Sequence, residues 1–382
     1  MKQLLGRFYD PAFNFLSPRY WFGQADTRAL SLLRIIFALG MLKVVVYWFF
    51  IAELFYSDQG IVPRSVVAEI GRATRLSLLD TLGQPWQVQL FLALWVVVLI
   101  NLLLGNYTRW MALLNFIFIV SMHERNLYVL NGADTVMRVL SFWFLFVPLG
   151  QYYSLDAMRQ RWRTYQRTRN ASDLRAPSEP RTGFALPIRF LEIQVAFIYL
   201  FTFLLKLPGQ PWRDGSALHY ALQVQSLMLP TGDWVLENVP YRLLQALTFG
   251  TMFFEGTFFI FVFLPFFQTY LRAAALWMGV GMHVGIAVLM AIPNFSTVML
   301  TSYLALCLPQ WVERWDGWLR AKRQPLGLPL PDSHSPLWVL LAATQTREIT
   351  LELTAQQPAH SWDDWIVLGQ AGQTYHGWVA WR

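Results

Sequence analysis

The chain has 382 residues, of which 55% are hydrophobic and only 14% charged, where soluble domains carry about a quarter. Its mean hydropathy is +0.36, and the apolar residues gather into runs long enough to cross a bilayer, which excludes two large soluble domains. The net charge of +7 is mostly arginine in loops beside those runs, so it marks topology and anionic headgroups; no basic stripe with interleaved aromatics is present, which excludes nucleic-acid binding.

Residues 1–23 are aromatic, mixed in charge and broken by Pro11 and Pro18. They read as a segment lying at the membrane surface, not as a signal peptide, because Leu4-Leu5 is followed by Arg7, Asp10 and Pro11. Apolar runs then predict about eight transmembrane helices, at 28–51, 87–104, 109–123, 135–149, 187–206, 242–264, 271–291 and 294–309. Gly60, Pro63, Pro85, Gly105, Pro187, Pro208 and Pro293 punctuate their ends. The fold class is an all-α polytopic membrane protein, with 24–315 as one transmembrane domain.

Segment 150–186 carries Arg159, Arg161, Arg163, Arg167, Arg169, Arg175 and Arg181 and is expected in the cytoplasm. Eight spans put Lys2, Arg7 and Arg19, and also Arg314, Arg320, Lys322 and Arg323, on that same side. Both termini are therefore expected to be cytoplasmic, and loops 52–86, 124–134 and 207–241 to face outward. A basic, proline-rich linker follows at 316–335. Residues 336–382 read as a small β-rich segment with strands near 338–341, 348–353 and 365–368 and turn signals at Gly369 and Gly372. The single cysteine, Cys307, can form neither an intrachain disulfide nor a CxxC site.

An ionisable group at membrane depth costs roughly 2.5–3.5 kcal/mol on insertion scales, so each is a candidate functional site. The candidates are Arg34, Lys43, Arg138, Glu192, Lys206, Glu255 and His283. Lys206 ends a long apolar run and is followed by a loop with Pro208, Gly209, Pro211, Trp212 and Gly215. Either it snorkels to the interface, or it is a partly desolvated amine able to act as a base. His283, between Gly279, Gly281 and Gly285, either bonds across helices or lines a ligand cavity. Lys206, Trp212 and His283 are expected to converge in one outward-opening pocket.

Glu255 is expected to pair with an arginine. Arg34 and Arg138 are expected to be structural and to find carbonyls or carboxylates, Glu192 and Glu255 being the nearest acids by depth. Glu192 and Lys206 share a helix face about 20 Å apart and cannot pair directly. The turn from His123 to Asp134 concentrates polar groups; Asp134 could cap the fourth helix or touch a ligand. No metal site is expected, and no hydrolase, P-loop or dinucleotide fingerprint occurs.

Around Lys206 the order of Tyr199, Lys206-Leu207, Trp212 and Gly215 resembles the lysine motif of the vitamin K-dependent gamma-glutamyl carboxylases. The family includes bacterial homologues, the horizontally transferred transmembrane (HTTM) domain proteins. Leu33-Arg34-Ile35, Arg125-Asn126, Asn131-Gly132-Ala133-Asp134, Ser154-Leu155-Asp156, His283, Asn294-Phe295 and Leu308-Pro309 are similar to other parts of its pattern. The resemblance covers about residues 20–315.

The resemblance implies a bacterial inner-membrane enzyme of the carbon–carbon ligase or lyase class, acting on a reduced naphthoquinone of the vitamin K or menaquinol type. In that family a lysine deprotonates the quinol, oxygen adds, and the base so formed takes a proton from a glutamate that then captures carbon dioxide. Carried over, Lys206 is the base, and Trp212, His283, Asn126, Asn131 and Asp134 contact the quinone. Membrane lipids and an exported peptide or protein substrate are the implied partners. Two departures stand: Leu127 follows Asn126 where the carboxylase has histidine, and the carboxylase's long extracytoplasmic domain has no counterpart here. The alternative reading is a non-catalytic membrane protein, such as a maturation or immunity partner of an exported peptide or a small-molecule carrier.

Overall fold

The computed structural model describes Tyr9 and residues 14–70, 76–168, 181–322, 366–368 and 374–376. A short helix α1 (Pro18–Phe22) and strand β1 (Gln24–Asp26) lead into α2 (Arg28–Tyr56), whose 29 residues run about 43 Å at 1.5 Å each. Next come α3 (Arg64–Ile70), α4 (Pro85–Leu104), α5 (Thr108–Arg125), α6 (Gly132–Trp143) and α7 (Leu155–Thr168). Strand β2 (Thr182–Phe184) precedes α8 (Ala185–Lys206). Three short helices follow, α9 (Gln210–Asp214), α10 (Ala217–Ala221) and α11 (Pro230–Asn238). Then come α12 (Tyr241–Phe263), α13 (Gln268–Leu289), α14 (Pro293–Ser302) and α15 (Pro309–Lys322).

The described residues are helical apart from short strands, and among them five helices, α2, α4, α8, α12 and α13, are long and apolar enough to cross a membrane. The stretch Asn294–Leu306 with Pro309–Trp315 makes a sixth only if a pair bent by 104° is one span. The outward faces of these helices stay apolar, with Phe50, Leu94, Val97, Phe201 and Leu205 all exposed. In water such a surface would aggregate; a bilayer covers it.

Each of the eight expected helices has a counterpart. The first runs on to Tyr56, and the fourth starts earlier, at Gly132, and stops at Trp143, because a turn and Pro148 follow. Segments expected as loops hold α3, α7 and α9–α11, helices too short or too polar for a hydropathy run to reveal. In the tail, β3 (Ile366–Leu368) pairs antiparallel with β4 (Thr374–His376). The strands expected at 338–341 and 348–353, and the turn glycines between β3 and β4, lie outside the described residues.

Antiparallel pairing of β1 with β2 ties the start of α2 to the start of α8. One end of the bundle therefore gathers β1, β2, the arginine-rich α7 and the first turns of α2, α8 and α13; it is called the basic end below. One half of the bundle is α2, α4, α5 and α6. Trp48 and Trp95 meet at 5.6 Å, Trp95 Nε1 donates to Asn115 Oδ1 at 3.0 Å, and Asn115 Nδ2 donates to Ser141 Oγ at 3.0 Å. That chain satisfies every link of a fully buried polar thread through α4, α5 and α6. The other half is α8, α12 and α13, and α14 packs on α13, α6 and α2 to join the two.

Arg34 is fully buried and donates to the carbonyls of Leu102 at 2.8 Å, Leu103 at 3.1 Å and Tyr153 at 2.6 Å. It thereby closes the C-terminus of α4, where carbonyls lack helical partners. Gly105 ends that helix at φ +65°, and a Cβ there would overlap the Arg34 guanidinium, so both its backbone and its neighbour require glycine.

Candidate functional site

Lys206 is the last residue of α8. A helical Cα–Cβ bond tilts toward the helix N-terminus, so a lysine at the C-terminus can run back along its own helix into the bundle. Lys206 does this. Its Nζ lies 2.5 Å from Glu255 Oε1 on α12 and 4.5 Å from the centre of the Trp212 ring on α9. The side chains are 23% and 5% exposed, respectively, so the amine turns toward the bundle and onto a buried carboxylate. Gly209 starts α9 and brings Trp212 back over the lysine; Gly215 ends it at φ +82°.

Glu255 was expected beside an arginine and is instead the partner of Lys206. Its second oxygen, Oε2, is buried with no hydrogen-bond partner among the described residues. Thr202 borders this carboxylate, but its hydroxyl proton is committed to the carbonyls of Ile198 and Tyr199 at 2.9 Å each.

Two turns before Lys206, Tyr199 is the centre of a second buried group. Its hydroxyl is 2.7 Å from His283 Nε2 on α13 and 2.6 Å from the Tyr303 hydroxyl after α14. Phe254 and Phe258 of α12 pack on the Tyr199 ring at 4.9 and 4.3 Å. Gly279 is the reason that Tyr303 can reach in, since a Cβ there would overlap the tyrosine hydroxyl. His283 bonds across helices, and its Nδ1 remains buried without a partner among the described residues. Lys206, Trp212 and Glu255 thus form one layer and His283, Tyr199 and Tyr303 the next, about 10 Å along α8. The layers adjoin through Phe254 and Tyr199 instead of converging on one common contact.

The remaining residues expected in the site do local structural work. Asn126 donates to the Phe55 carbonyl at 2.8 Å and accepts from the Tyr128 amide. Asn131 caps α6 by accepting from the Ala133 amide, and Asp134 accepts from the Asn131 amide at 2.8 Å, completing a capping box. His123 lies 4.0 Å from Asp134. Among the described residues these groups make no hydrogen bond or ion pair with Lys206 or His283. The link is indirect: Gly132 backs onto the Phe295 ring, which packs on His283 at 5.5 Å.

Arg34 finds carbonyls as expected. Arg138 pairs with Glu124 at 2.6 Å, not with Glu192 or Glu255, because that acid faces it from the adjacent α5. Glu192 pairs with Arg189 and Arg272 at the basic end. Lys43, on the outside of α2, donates to Asn294 Oδ1 at 3.1 Å. Tyr303 and Phe254 escaped the sequence reading because an aromatic in an apolar run carries no local sign of function. Among the described residues no three His, Cys, Asp or Glu side chains gather as a metal site would require. No family model, no curated protein and no solved structure matches this chain.

Proposed function

We propose that the chain is an integral membrane enzyme that removes a proton from a lipid-soluble hydroxylated substrate, with Lys206 as base and Glu255 as its proton partner. The pattern is that of the vitamin K-dependent carboxylase and HTTM family that the sequence resembles. The inward turn of Lys206 carries the reading: an amine with water in reach is held instead against a buried carboxylate and a tryptophan face. Two charges there lose hydration, and moving the proton from ammonium to carboxylate leaves a neutral amine beside a neutral acid. In that state Lys206 can accept a proton from a substrate hydroxyl.

A reduced naphthoquinone fits the groups present. Glu255 Oε2 and His283 Nδ1 are buried polar atoms without partners among the described residues, and Trp212 and Phe295 supply flat apolar walls. Glu255 and His283 would hold its oxygens, Lys206 would take the hydroxyl proton, and the aromatic rings would exclude water. When bound, the quinol supplies the electrons for oxygen chemistry.

We read all eight helices as spans, α6 and α14 included, with both termini on the cytoplasmic side of a bacterial inner membrane. Arg159, Arg161, Arg163 and Arg167 on α7 support this orientation. In a Cys307→Ala background, Thr164→Cys and Pro230→Cys should label from opposite sides; labelling from one side refutes it.

The functional test uses protein in lipid nanodiscs with a short-chain reduced naphthoquinone under air, products being separated by chromatography. The wild type should consume the quinol faster than autoxidation. Lys206→Ala should abolish this, a small amine should restore part of it, and Lys206→Arg should not, since guanidinium stays protonated. Wild-type consumption no faster than autoxidation would retire the reading, and an active arginine variant would favour a binding or carrier role.

A further inference from the structure

The turn between α4 and α5 and the arginine-rich α7 form an open groove of about 420 Å³ at the basic end, the opposite end of the bundle from Lys206. Its volume lies in the range of small-molecule sites. Asp156, in the first turn of α7, builds one side. Its carboxylate accepts from the amides of Tyr107 and Thr108 at 2.9 and 2.7 Å and from the Thr108 hydroxyl at 2.7 Å. These amides stand at the start of α5, where N–H groups lack helical partners, so the acid fastens α7 to that helix. Arg159 donates to Asp156 at 3.0 Å and to the Asn106 side chain, and its guanidinium stacks over the Tyr107 ring at 4.4 Å.

The open side of the groove is arginine. Arg163 and Arg167 continue from Arg159 at intervals of four residues, so the three share one face of α7 and cover about 12 Å of it. Both are exposed, and neither makes a hydrogen bond or an ion pair among the described residues. Asp156 is the only acid among the described residues on the groove wall, and it is already engaged by the α5 amides and Arg159. Like charges four apart on a helix repel, and an anion seated between them relieves that repulsion. Tyr107, Trp110 and Tyr153 are exposed around the same turn, as aromatic side chains are where a helix meets the headgroups. The groove therefore opens at the level of lipid phosphates.

We propose that this groove binds the phosphodiester headgroup of an anionic lipid, with Arg163 and Arg167 as its donors. Guanidiniums match phosphate oxygens through paired N–H groups, and basic helices beside a bilayer are drawn to anionic headgroups. The Asp156 join to α5 holds the helix that presents them. The site is independent of any chemistry at Lys206.

Thiol reactivity in a Cys307→Ala background gives a local readout. Thr164→Cys puts a thiol in the groove, and Gln166→Cys puts one about 200° round the helix, outside it. Maleimide addition is timed in nanodiscs of phosphatidylcholine alone and of equal parts phosphatidylcholine and phosphatidylglycerol. Surface charge slows both thiols alike, so the comparison isolates the groove. Phosphatidylglycerol should slow the groove thiol about five-fold more than the other, the effect of one arginine at an anionic surface. Arg163→Gln with Arg167→Gln should abolish that difference without loss of thermal stability, since neither side chain bonds to the rest of the described protein. Native mass spectrometry of the otherwise unmodified chain with phosphatidylglycerol in detergent should show one fewer retained lipid in this double variant. Equal slowing at both positions, a difference that survives the double variant, or an unchanged number of retained lipids would overturn the proposal. Equal protection by inorganic pyrophosphate in pure phosphatidylcholine would overturn the lipid as occupant in favour of a soluble oxyanion.

Discussion

Replacing one member of the Lys206–Glu255 pair should be far more damaging than replacing both. The pair is tight, at 2.5 Å, and unequally buried, with Glu255 5% and Lys206 23% exposed. Orphaning a buried charge costs about 3–5 kcal/mol. Lys206→Met strands Glu255, the deeper partner, and also removes the contact with Trp212. The penalty has a ceiling, because the stranded acid can take a proton. For a carboxyl of ordinary pKa ~4.3, that costs about 3.7 kcal/mol at pH 7. Glu255→Leu strands the lysine, which can swing toward water, so its cost should be nearer 1–2 kcal/mol. The double variant removes both charges and should fall within about 1 kcal/mol of wild type. Reversible unfolding in mixed detergent micelles gives the four free energies, and the coupling should be at least 2 kcal/mol. Additivity within about 0.5 kcal/mol, or a larger loss for Glu255→Leu than for Lys206→Met, would refute the argument.

Three further outcomes follow from the geometry. Gly279→Ala should push Tyr303 off Tyr199 and lower stability by about 1–3 kcal/mol, the usual range for overpacking; an unchanged unfolding midpoint would contradict it. Arg34→Ala leaves the Leu102, Leu103 and Tyr153 carbonyls without their donor, so stability should drop by about 3 kcal/mol or more and the protein should become scarce in membranes, as immunoblotting would show. Asp58, after α2, bonds Arg64 at 2.6 to 3.1 Å, and this holds its carboxyl below the ordinary value of 3.8. A lowered folded pKa stabilises above the unfolded value and is lost as pH falls through the folded one. Protease resistance of the segment around Arg64 should therefore be flat from pH 7 to 5 and decline only below about 4, whereas Asp58→Asn should be sensitive throughout.

Much of this was legible in the chain because a bilayer makes hydropathy decisive. The helices ending at Leu104 and Lys206 are bounded by Gly105 and by the Pro208 loop, where the residues changed character. The start of α6 was also readable, but the sequence pointed to Asp134 as the cap, whereas Asn131 takes that place and Asp134 closes the box three residues on. What sequence did not carry was direction and long-range partnership. Lys206 could be read as facing out or in, and the choice depends on Glu255, 49 residues away on another helix. Arg138 looked free to choose an acid by depth, but Glu124 lies across from it on a neighbouring helix. The β1–β2 pair joins two three-residue strands, too short to leave a periodic trace. The segment that became α7 was dense in arginine, which advertised a side of the membrane but hid a helix.

The loop leading into α11 is fastened to the end of α13 in a particular way. Leu229 donates its amide to the Leu289 carbonyl at 3.1 Å, Ala291 donates to the Leu227 carbonyl at 2.8 Å, and Met228 bridges Met290. The Thr231 hydroxyl adds a bond to the Val288 carbonyl. Apart from Thr231, every stitch is main chain to main chain, so it is indifferent to which side chains stand there. Only proline, by deleting an amide, could unpick it directly. The side chains of α11 are therefore free to drift without releasing that join, and a lineage could change this surface while its architecture stayed put. Such a surface is where descendants of one ancestor can diverge in side chains while the main-chain join holds the fold.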